Sequence, residues 1–312
     1  MKNQKIKIFY KPQMAYVGDK KNSYSNSPRK PRLFVERLKK REDFEDRFEI
    51  ISNWKPYERQ DFFKAHYARY VVDFFDGVKP KCESNMIDWS PDFAETVRYT
   101  NASLYEAIKH SYQNPDTICC SPTSGFHHAG PDGGSGFCTF SGQVIASVKM
   151  YEEFKAVGFY FDLDGHFGNS IEDTRRDKSF KKIVNKAIPK YANFNPRGEG
   201  KEYLKSLDDG IEKFIESAIA GKINYVVWCH GADSHKKDNL GHQVNTKEWI
   251  QCTKKFIVAV KRIENELGRP FPVSYALFGG YRKNYEEVLD LHERDTEILL
   301  KICEKQKELV LA

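Results

Sequence analysis

The amino-acid sequence predicts an α/β protein in which a central, mainly parallel β-sheet carries helices on both faces. Two observations lead to this fold class. Short apolar runs rich in β-branched and aromatic residues alternate along the chain with longer segments of helical periodicity. These runs are continuously apolar, which is typical of strands buried on both faces of a parallel sheet. The five predicted strands are residues 6–10, 117–120, 157–163, 225–230 and 273–278.

Four segments between or after these strands predict amphipathic helices. Residues 141–154 begin with a serine and place their apolar side chains on one face. Residues 203–220 repeat apolar side chains at steps of three and four, and residues 247–267 behave in the same way. Residues 285–311 carry a stripe of Leu and Ile, which favours packing against the core over a coiled coil.

The first hundred residues are more polar than the rest. Residues 23–31 predict an exposed loop, and residues 32–48 predict a strongly charged helix. No internal repeat, low-complexity tract or linker divides the chain. We therefore expect residues 1–312 to form a single domain.

Composition excludes several classes of protein. Of the 312 residues, 40% are hydrophobic and 30% are charged, so intrinsic disorder and fibrous repeats are ruled out. The formal net charge of +6 is mild and does not indicate direct nucleic-acid binding. No apolar run approaches the length of a membrane span, and the first residues do not predict a signal peptide. The seven cysteines form no CxxC pair, so we expect reduced, buried thiols and a cytoplasmic protein.

Titratable residues cluster where predicted strands end. The carboxyl ends of parallel strands line one crevice of an open sheet, which is the usual position of a ligand. Four chain segments are therefore expected to converge on one site. The residues that follow the strands are His127 and His128, then Asp162, Asp164 and His166, then Asp233, and finally Gly279, Gly280 and Tyr281.

Asp162, Asp164 and His166 are spaced at i, i+2 and i+4, so they share one face of an extended chain. Such a triplet could form half of a metal site, which Asp233 could complete, because a catalytic metal needs about three protein ligands and one open position. The competing interpretation is a structural salt-bridge cluster, or aspartates that cap the following helices.

The adjacent pair His127 and His128 is the next signal. Two neighbouring histidines are hard to explain by packing alone, although both could simply lie at the surface. Glycines surround the pair, which permits a tightly turning loop near a ligand. A neutral histidine beside a metal-activated water can accept its proton, as hydrolysis requires.

Gly279-Gly280-Tyr281 is a weaker signal. The two glycines permit a sharp turn after the last predicted strand. Tyr281 could belong to the core, or its phenol could donate a hydrogen bond to a developing oxyanion.

Four motifs follow one another along the chain. They are Gly125-Phe126-His127-His128-Ala129 with Gly136-Phe137-Cys138, Asp162-Leu163-Asp164-Gly165-His166-Phe167-Gly168-Asn169, Gly231-Ala232-Asp233 continuing to Asp238, Leu240, Gly241 and Thr246, and Phe278-Gly279-Gly280-Tyr281. In this order they resemble the zinc-dependent histone deacetylase superfamily, which includes lysine deacetylases, acetoin-utilisation proteins and acetylpolyamine amidohydrolases. Weaker likenesses are Ser27-Pro28-Arg29 with Glu36-Arg37-Leu38, and His66 with Tyr70. The resemblance implies a three-layer arginase/deacetylase-like fold.

The resemblance also implies a role for each motif residue. The activity would be hydrolysis of an acetyl or other acyl amide, on lysine side chains of proteins or peptides or, alternatively, on acetylpolyamines or other small amides. One Zn²⁺ and a structural monovalent cation such as K⁺ are implied as cofactors. The implied metal ligands are Asp164, His166 and Asp233. The implied catalytic residues are His128 as general base, His127 beside it, Asp162 and Asn169 as their partners, and Tyr281 as oxyanion donor. The implied substrate-binding residues are Gly136 and Phe137 in the channel wall and Asp88 at the rim.

The sequence departs from the family pattern at three places. Phe167 stands where the family has a second histidine, and Ser141 with Gly142 replaces an asparagine-containing pair. The segment from Asn169 to Gly200 is shorter than usual, so only Phe194 is left as a candidate for the opposite channel wall. These departures leave an alternative from a different functional class, which is a catalytically inactive relative that binds acyl-lysine.

Overall fold

A seven-stranded, all-parallel β-sheet forms the centre of the computed structural model, which describes residues 5–16 and 25–304, with side chains as far as residue 302. The strand order is β2-β1-β3-β7-β6-β4-β5. The predicted α/β class with a parallel sheet is confirmed. In chain order the strands are β1 (Ile6–Phe9), β2 (Phe48–Ile51), β3 (Cys119–Ser121), β4 (Gly158–Asp162), β5 (Asn193–Phe194), β6 (Tyr225–Cys229) and β7 (Val273–Ala276).

The helices pack around this sheet in two groups. Helices α5 to α8 contact one another in one group, and α1, α9, α10 and α11 form the other. The central strands β3, β4, β6 and β7 are buried throughout, as a sheet covered on both faces requires. The α-helices are α1 (Lys30–Lys39), α2 (Phe44–Arg47), α3 (Arg59–Phe62), α4 (Ala68–Phe75), α5 (Pro91–Gln113), α6 (Gly142–Phe154), α7 (Ser170–Arg176), α8 (Lys181–Ala187), α9 (Lys201–Ile219), α10 (Thr246–Leu267) and α11 (Glu286–Glu304).

All five predicted strands are present, and the four predicted amphipathic helices correspond to α6, α9, α10 and α11. Helix α10 begins with a capping box, in which Asn245 and Glu248 each accept the other's backbone N–H. Helix α11 packs against α1 and α10, so its apolar stripe belongs to the core as predicted. The predicted end of this helix, residues 305–311, lies outside the described residues.

The predicted helix over residues 32–48 is confirmed only in part, because residues 32–39 and 44–47 are helical but do not form one continuous helix. Helix α1 ends at Lys39, the short α2 follows, and Phe48 opens strand β2, which pairs with β1 in the register Ile6 to Phe48. At Phe48, the last residue of the predicted range, strand pairing at the sheet edge outweighs the local helical pattern. The other edge strand, β5, has only two residues and was also not predicted.

The predicted exposed loop over residues 23–31 is wrong for the part that the structure describes, residues 25–31. Ser27 begins a 3-10 helix that leads directly into α1, and Ser25, Ser27 and Lys30 are buried. Lys30 is held inside by a contact with the carbonyl oxygen of Phe278, which lies far away in the sequence.

The prediction of reduced, buried thiols can be compared with the structure at six of the seven cysteines. Cys82, Cys119, Cys120, Cys138, Cys229 and Cys252 are free and buried, as expected of reduced thiols, and the side chain of Cys303 lies outside the described part. Within residues 5–16 and 25–304, no helix is long and apolar enough to cross a bilayer.

Candidate metal centre

Four neighbouring strands of the sheet end at the same level. The ladder pairs Ser121 of β3 with Ala276 of β7, Ala276 with Cys229 of β6, and Cys229 with Asp162 of β4. Because these residues are the last of their strands, the four following loops start side by side. The predicted convergence of the four motif segments at one edge of the sheet is therefore seen.

Asp164, His166 and Asp233 form a compact cluster at this edge. One possible ligand atom from each residue lies within 4.8 Å of the others. Nδ1 of His166 is 3.1 Å from Oδ1 of Asp164 and 3.0 Å from Oδ2 of Asp233. The structure thus brings together the three residues that were predicted to bind a metal, with the set of two carboxylates and one imidazole that a catalytic site uses.

Backbone N–H groups orient both carboxylates of this cluster. Gly279 donates to Oδ2 of Asp164 at 2.8 Å, and Gly165 donates to Oδ1 of Asp233 at 2.9 Å. The other oxygen of each aspartate faces His166, and Oδ1 of Asp164 also accepts the backbone N–H of His166 at 3.0 Å. A Cβ atom at Gly279 would lie 2.5 Å from Asp233 Oδ2 and 2.6 Å from Asp164 Oδ2. Only glycine fits this close approach of the backbone to two ligands.

The electrostatics of the cluster favour a cation. Burial and the neighbouring Asp164 raise the pKa of Asp233 to about 7. Two buried carboxylates in one site are costly without compensating charge, and a divalent ion between them removes that cost. Carboxylate oxygen and imidazole nitrogen are ligands for Zn²⁺ and also for harder ions such as Fe²⁺. The residues present therefore fit a divalent metal.

The two adjacent histidines have different partners. Nδ1 of His127 lies 3.0 Å from Oδ2 of Asp162, and Nδ1 of His128 lies 2.8 Å from Oδ1 of Asn169. Asn169 in turn donates its side-chain N–H to Asp173 at 2.6 Å, which leaves its oxygen as the acceptor for His128. Nε2 of His128 is then the unprotonated nitrogen of a neutral ring.

The surrounding residues shift the pKa values of His127 and His128 in opposite directions. Burial opposes a charge on His127, but Asp164 and Asp162 outweigh it and raise the pKa of His127 to about 9. Burial and the neighbouring His127 lower the pKa of His128. One ring is thus suited to carry a proton and the other to accept one, which is how acid and base roles are divided in many active sites.

Tyr281 lies on the turn that follows β7. Its ring centroid is 6.3 Å from that of His166 and 5.6 Å from that of Phe137. Its backbone N–H donates to Oδ2 of Asp238 at 2.8 Å. Burial, together with the negative charge of the two ligand carboxylates, holds the pKa of Tyr281 well above its usual range. The phenol is therefore a hydrogen-bond donor at neutral pH.

Gly136 lies against His128, and the ring of Phe137 lies near that of Tyr281, while their role as a channel wall stays a prediction. Both have positive φ, 49° and 62°. A Cβ atom at Gly136 would lie 2.7 Å from Cδ2 of His128, so a side chain there would displace the ring. The N–H of Phe137 donates to the carbonyl of Asn85 at 2.9 Å. Asp88 is exposed three residues after Asn85, and its rim role stays a prediction.

Phe194 does not supply the opposite wall. Its ring lies 5.9 Å from that of Phe161, and a Cβ atom at Gly210 of α9 would lie 2.5 Å from it. The side chain therefore fills space between the sheet and α9. Phe167 follows the cluster residue His166 and departs from the family pattern. Its side chain is 55% exposed.

Ser141, the other position that departs from the family pattern, contacts two buried residues. Its backbone N–H donates to Nε2 of His66 at 2.8 Å, and its side chain contacts that of Ser170. Nδ1 of His66 lies 2.8 Å from the carbonyl of Gly130, which fixes the tautomer of the ring. Burial lowers the pKa of His66 to about 3, so this histidine is a neutral structural element.

Three residues near the cluster were not identified as functional from the sequence. Lys30 is fully buried, and burial lowers its pKa to about 8 against the opposing effect of Asp233 and nearby carboxylates. Asp238 was noticed only as a motif position, although it holds the backbone of Tyr281. Arg282 is buried directly after Tyr281. Lys30 and Arg282 carry no local signal, because a charged residue in a polar segment normally predicts exposure.

Comparisons with known proteins find similar sequences among histone deacetylases. Histone deacetylase B of Dictyostelium discoideum is 28% identical over 237 residues, which is 64% of this chain and 54% of that protein. Histone deacetylase 3 of Oryza sativa subsp. japonica is 27% identical over 229 residues, 62% of this chain and 44% of that protein. The chain thus spans about half the length of these curated relatives.

A solved structure supports the fold independently. The crystal structure of the HDA15 HD domain superposes with a TM-score of 0.70 at 14% identity, covering 96% of this chain and 88% of that one. This likeness shows the arginase/deacetylase-like α/β fold.

The family model for the histone deacetylase domain matches residues 24–185, just over half of the chain. The matched range contains the histidine pair and the cluster residues Asp164 and His166, whereas Asp233 and Tyr281 lie beyond it. The structure brings the residues inside and outside this range together in one site. The chain therefore belongs to the histone deacetylase domain family.

Proposed function

We propose that this protein is a metal-dependent amide hydrolase that removes an acetyl or other acyl group from an amine. One observation carries the proposal. The cluster of Asp164, His166 and Asp233 lies beside a neutral histidine, His128, and a protonated phenol, Tyr281. Hydrolysis of an amide needs a base for the attacking water, stabilisation of the oxyanion and protonation of the leaving amine.

The three cluster residues would hold the metal, which we propose to be Zn²⁺. A bound Zn²⁺ supplies Lewis acidity toward a carbonyl oxygen and toward water. The resemblance also implies a monovalent cation beside the loop of residues 162–166, and this stays a prediction.

The chain's own residues divide the proton transfers between them. Nε2 of His128 accepts a proton from the attacking water as the new C–O bond forms. The phenol of Tyr281 donates to the oxyanion that develops on the former carbonyl. When the C–N bond breaks, the amine nitrogen takes a proton from the protonated histidine pair, and the products are a carboxylate and a free amine. Asp162 and Asn169 orient His127 and His128 throughout.

The surroundings of the site favour an acyl-lysine side chain of a protein or peptide over an acetylpolyamine. Segments that adjoin the site expose apolar side chains: Phe167 is 55% exposed, Leu240 39% and Met86 70%. The loop after Asp233 also exposes two lysines, at positions 236 and 237. A polyamine is a polycation and would be better received by carboxylates.

The decisive experiment measures metal content and turnover together. Zinc-loaded protein is tested on acetyl-lysine peptides, acetylpolyamines and longer acyl-lysine peptides. We expect hydrolysis of the peptides, reduced about 100- to 1,000-fold but still measurable in Tyr281→Phe, strongly reduced in His128→Ala, and retained in the surface controls Tyr191→Phe and His242→Ala, both at exposed positions. Stoichiometric zinc with no turnover on any substrate would contradict the proposal and support an acyl-lysine-binding module.

A cytoplasmic location is also proposed. It is supported by the free, buried state of the six described cysteines, because such thiols are typical of reducing compartments.

A further inference from the structure

Arg282 follows Tyr281 directly, and its side chain is only 8% exposed. Its Nη1 donates to Oε2 of Glu287 at 2.5 Å, and its Nη2 donates to Nδ1 of His235. An arginine is always protonated, so Nδ1 of His235 must be the acceptor. Nε2–H of the same ring then donates to the hydroxyl of Thr246 at 2.8 Å. The ring is thus held in one tautomer and one orientation.

This contact joins two loops of the site. His235 lies two residues after the cluster residue Asp233, and the N–H of Lys237 also donates to its Nδ1, at 3.1 Å. On the other side of Tyr281, Asp238 of the same loop accepts the Tyr281 backbone N–H. The turn that carries Tyr281 is therefore tied to the loop of Asp233 at two successive residues.

The phenolic oxygen of Tyr281 has no hydrogen-bond partner among the described residues. Its position therefore depends on ring packing and on the backbone, which Asp238 and Arg282 hold. A misplacement of about 1 Å at a reacting group can cost on the order of a hundredfold in rate. Any movement of this backbone is transmitted directly to the phenol.

We propose that Arg282, acting through His235, is a positioning residue that sets the location of the Tyr281 phenol relative to the metal cluster. The inference rests on the proposed function, since it assigns Tyr281 the oxyanion role. Arg282 itself does not touch the reacting atoms. Its guanidinium contacts the loop of Asp233 and the start of α11, and so fixes the turn between them.

A double-mutant cycle tests this coupling. We expect Arg282→Met to lower kcat by about 10- to 100-fold, with KM and zinc affinity within about twofold of wild type. Arg282→Lys should recover part of the loss, because an ammonium can donate to His235 but cannot also span to Glu287. In a Tyr281→Phe background the methionine substitution should cost less than about threefold. Independent, multiplicative losses would overturn the proposal.

A readout without turnover keeps the inference separate from the proposed function. Hydrogen exchange of a peptide covering residues 278–286 should be faster in Arg282→Met and unchanged in Arg262→Met, a surface control that pairs with Glu212. If wild type hydrolyses nothing, the proposed function fails and exchange alone decides the positioning role. If Arg282→Met does not fold, Arg282→Lys gives the same comparison. Unchanged exchange would overturn the inference.

Discussion

The ammonium of Lys30 donates a hydrogen bond to the carbonyl oxygen of Phe278, and the lysine is fully buried. Phe278 has a φ of 49°, a left-handed conformation that is uncommon for a non-glycine residue. The next residue, Gly279, gives its N–H to Asp164. A buried cation at the start of α1 thus supports the turn that holds one ligand carboxylate.

Removal of this cation should destabilise the metal-free protein. We expect Lys30→Met to lower the free energy of unfolding by about 3–5 kcal/mol without metal, because nearby carboxylates lose a buried counter-charge. With zinc bound the loss should shrink, since the ion compensates the same carboxylates. Urea unfolding with chelator and with zinc measures both. Lys255→Met, which removes a half-exposed pair with Asp208, should have little effect in either state. Equal losses with and without zinc would contradict the prediction.

Gly279 should be required for metal binding. Gly279→Ala places a methyl group within 2.6 Å of an oxygen of each ligand aspartate, so the carboxylates must separate. We expect zinc affinity to fall at least tenfold, corresponding to about 1.4 kcal/mol. Competition with a chromogenic chelator measures it. The matched control is Gly130→Ala, where the nearest atom to the new methyl is 4.0 Å away. Equal affinity in both variants would show that the turn adapts.

The sequence predicts this site well because its motifs are local and follow strands. The triplet at residues 162–166 and the adjacent histidines could be located from spacing alone, and the parallel ladder brings them together. Support from distant segments could not be predicted. Lys30 reaches a carbonyl 248 positions away, and Arg282 reaches a histidine 47 positions away. Nothing in the composition of either segment indicates such a contact.

The fold likewise has parts that could be predicted from local sequence and parts that could not. Buried central strands have continuous apolar runs and were predicted correctly, whereas the edge strands β2 and β5 depend on pairing with one neighbour. Phe194 shows why the role of a single residue is hard to predict from its position in the sequence. Its position in the sequence made it a candidate for the channel wall, but the absence of a side chain at Gly210 opens a space in α9 that its ring fills.

The histidine pair predicts a bell-shaped pH profile of kcat/KM. His128 must be neutral, and its pKa is lowered, so the acid limb should lie below pH 6.5. His127 is the protonated partner, with a pKa raised to about 9 by Asp164 and Asp162 against burial. Bound zinc would neutralise Asp164, so the alkaline limb of the zinc-loaded protein should lie below pH 9. Asp162→Asn should move that limb further to lower pH and leave the acid limb in place. A shift of the acid limb alone would contradict this assignment.

The exposed apolar side chains near the site predict a preference among peptides. Phe167 adjoins the cluster residue His166, and the N–H of Leu240 donates to Asp238 at 3.0 Å, the carboxylate that also holds Tyr281. Both side chains are exposed next to residues of the site, so we expect them to contact residues that flank an acyl-lysine. We expect peptides with flanking Leu or Phe to have a KM several-fold lower than peptides with flanking Asp or Ser.

The preference for peptides with flanking Leu or Phe should disappear when the side chains of Phe167 and Leu240 are replaced. Phe167→Ser and Leu240→Ser should each raise KM for the apolar peptides about two- to fivefold, because each removes up to about 1 kcal/mol of partly exposed apolar contact. Their kcat should stay near that of wild type, since neither residue contacts the reacting amide. Val258→Ser, at a 68% exposed position in the middle of α10, is the matched control and should change nothing. If the serine variants retain the preference for apolar flanks, the selectivity arises elsewhere. If acetylpolyamines are hydrolysed more efficiently than every peptide, the assignment of an acyl-lysine substrate is wrong while the hydrolase chemistry stands.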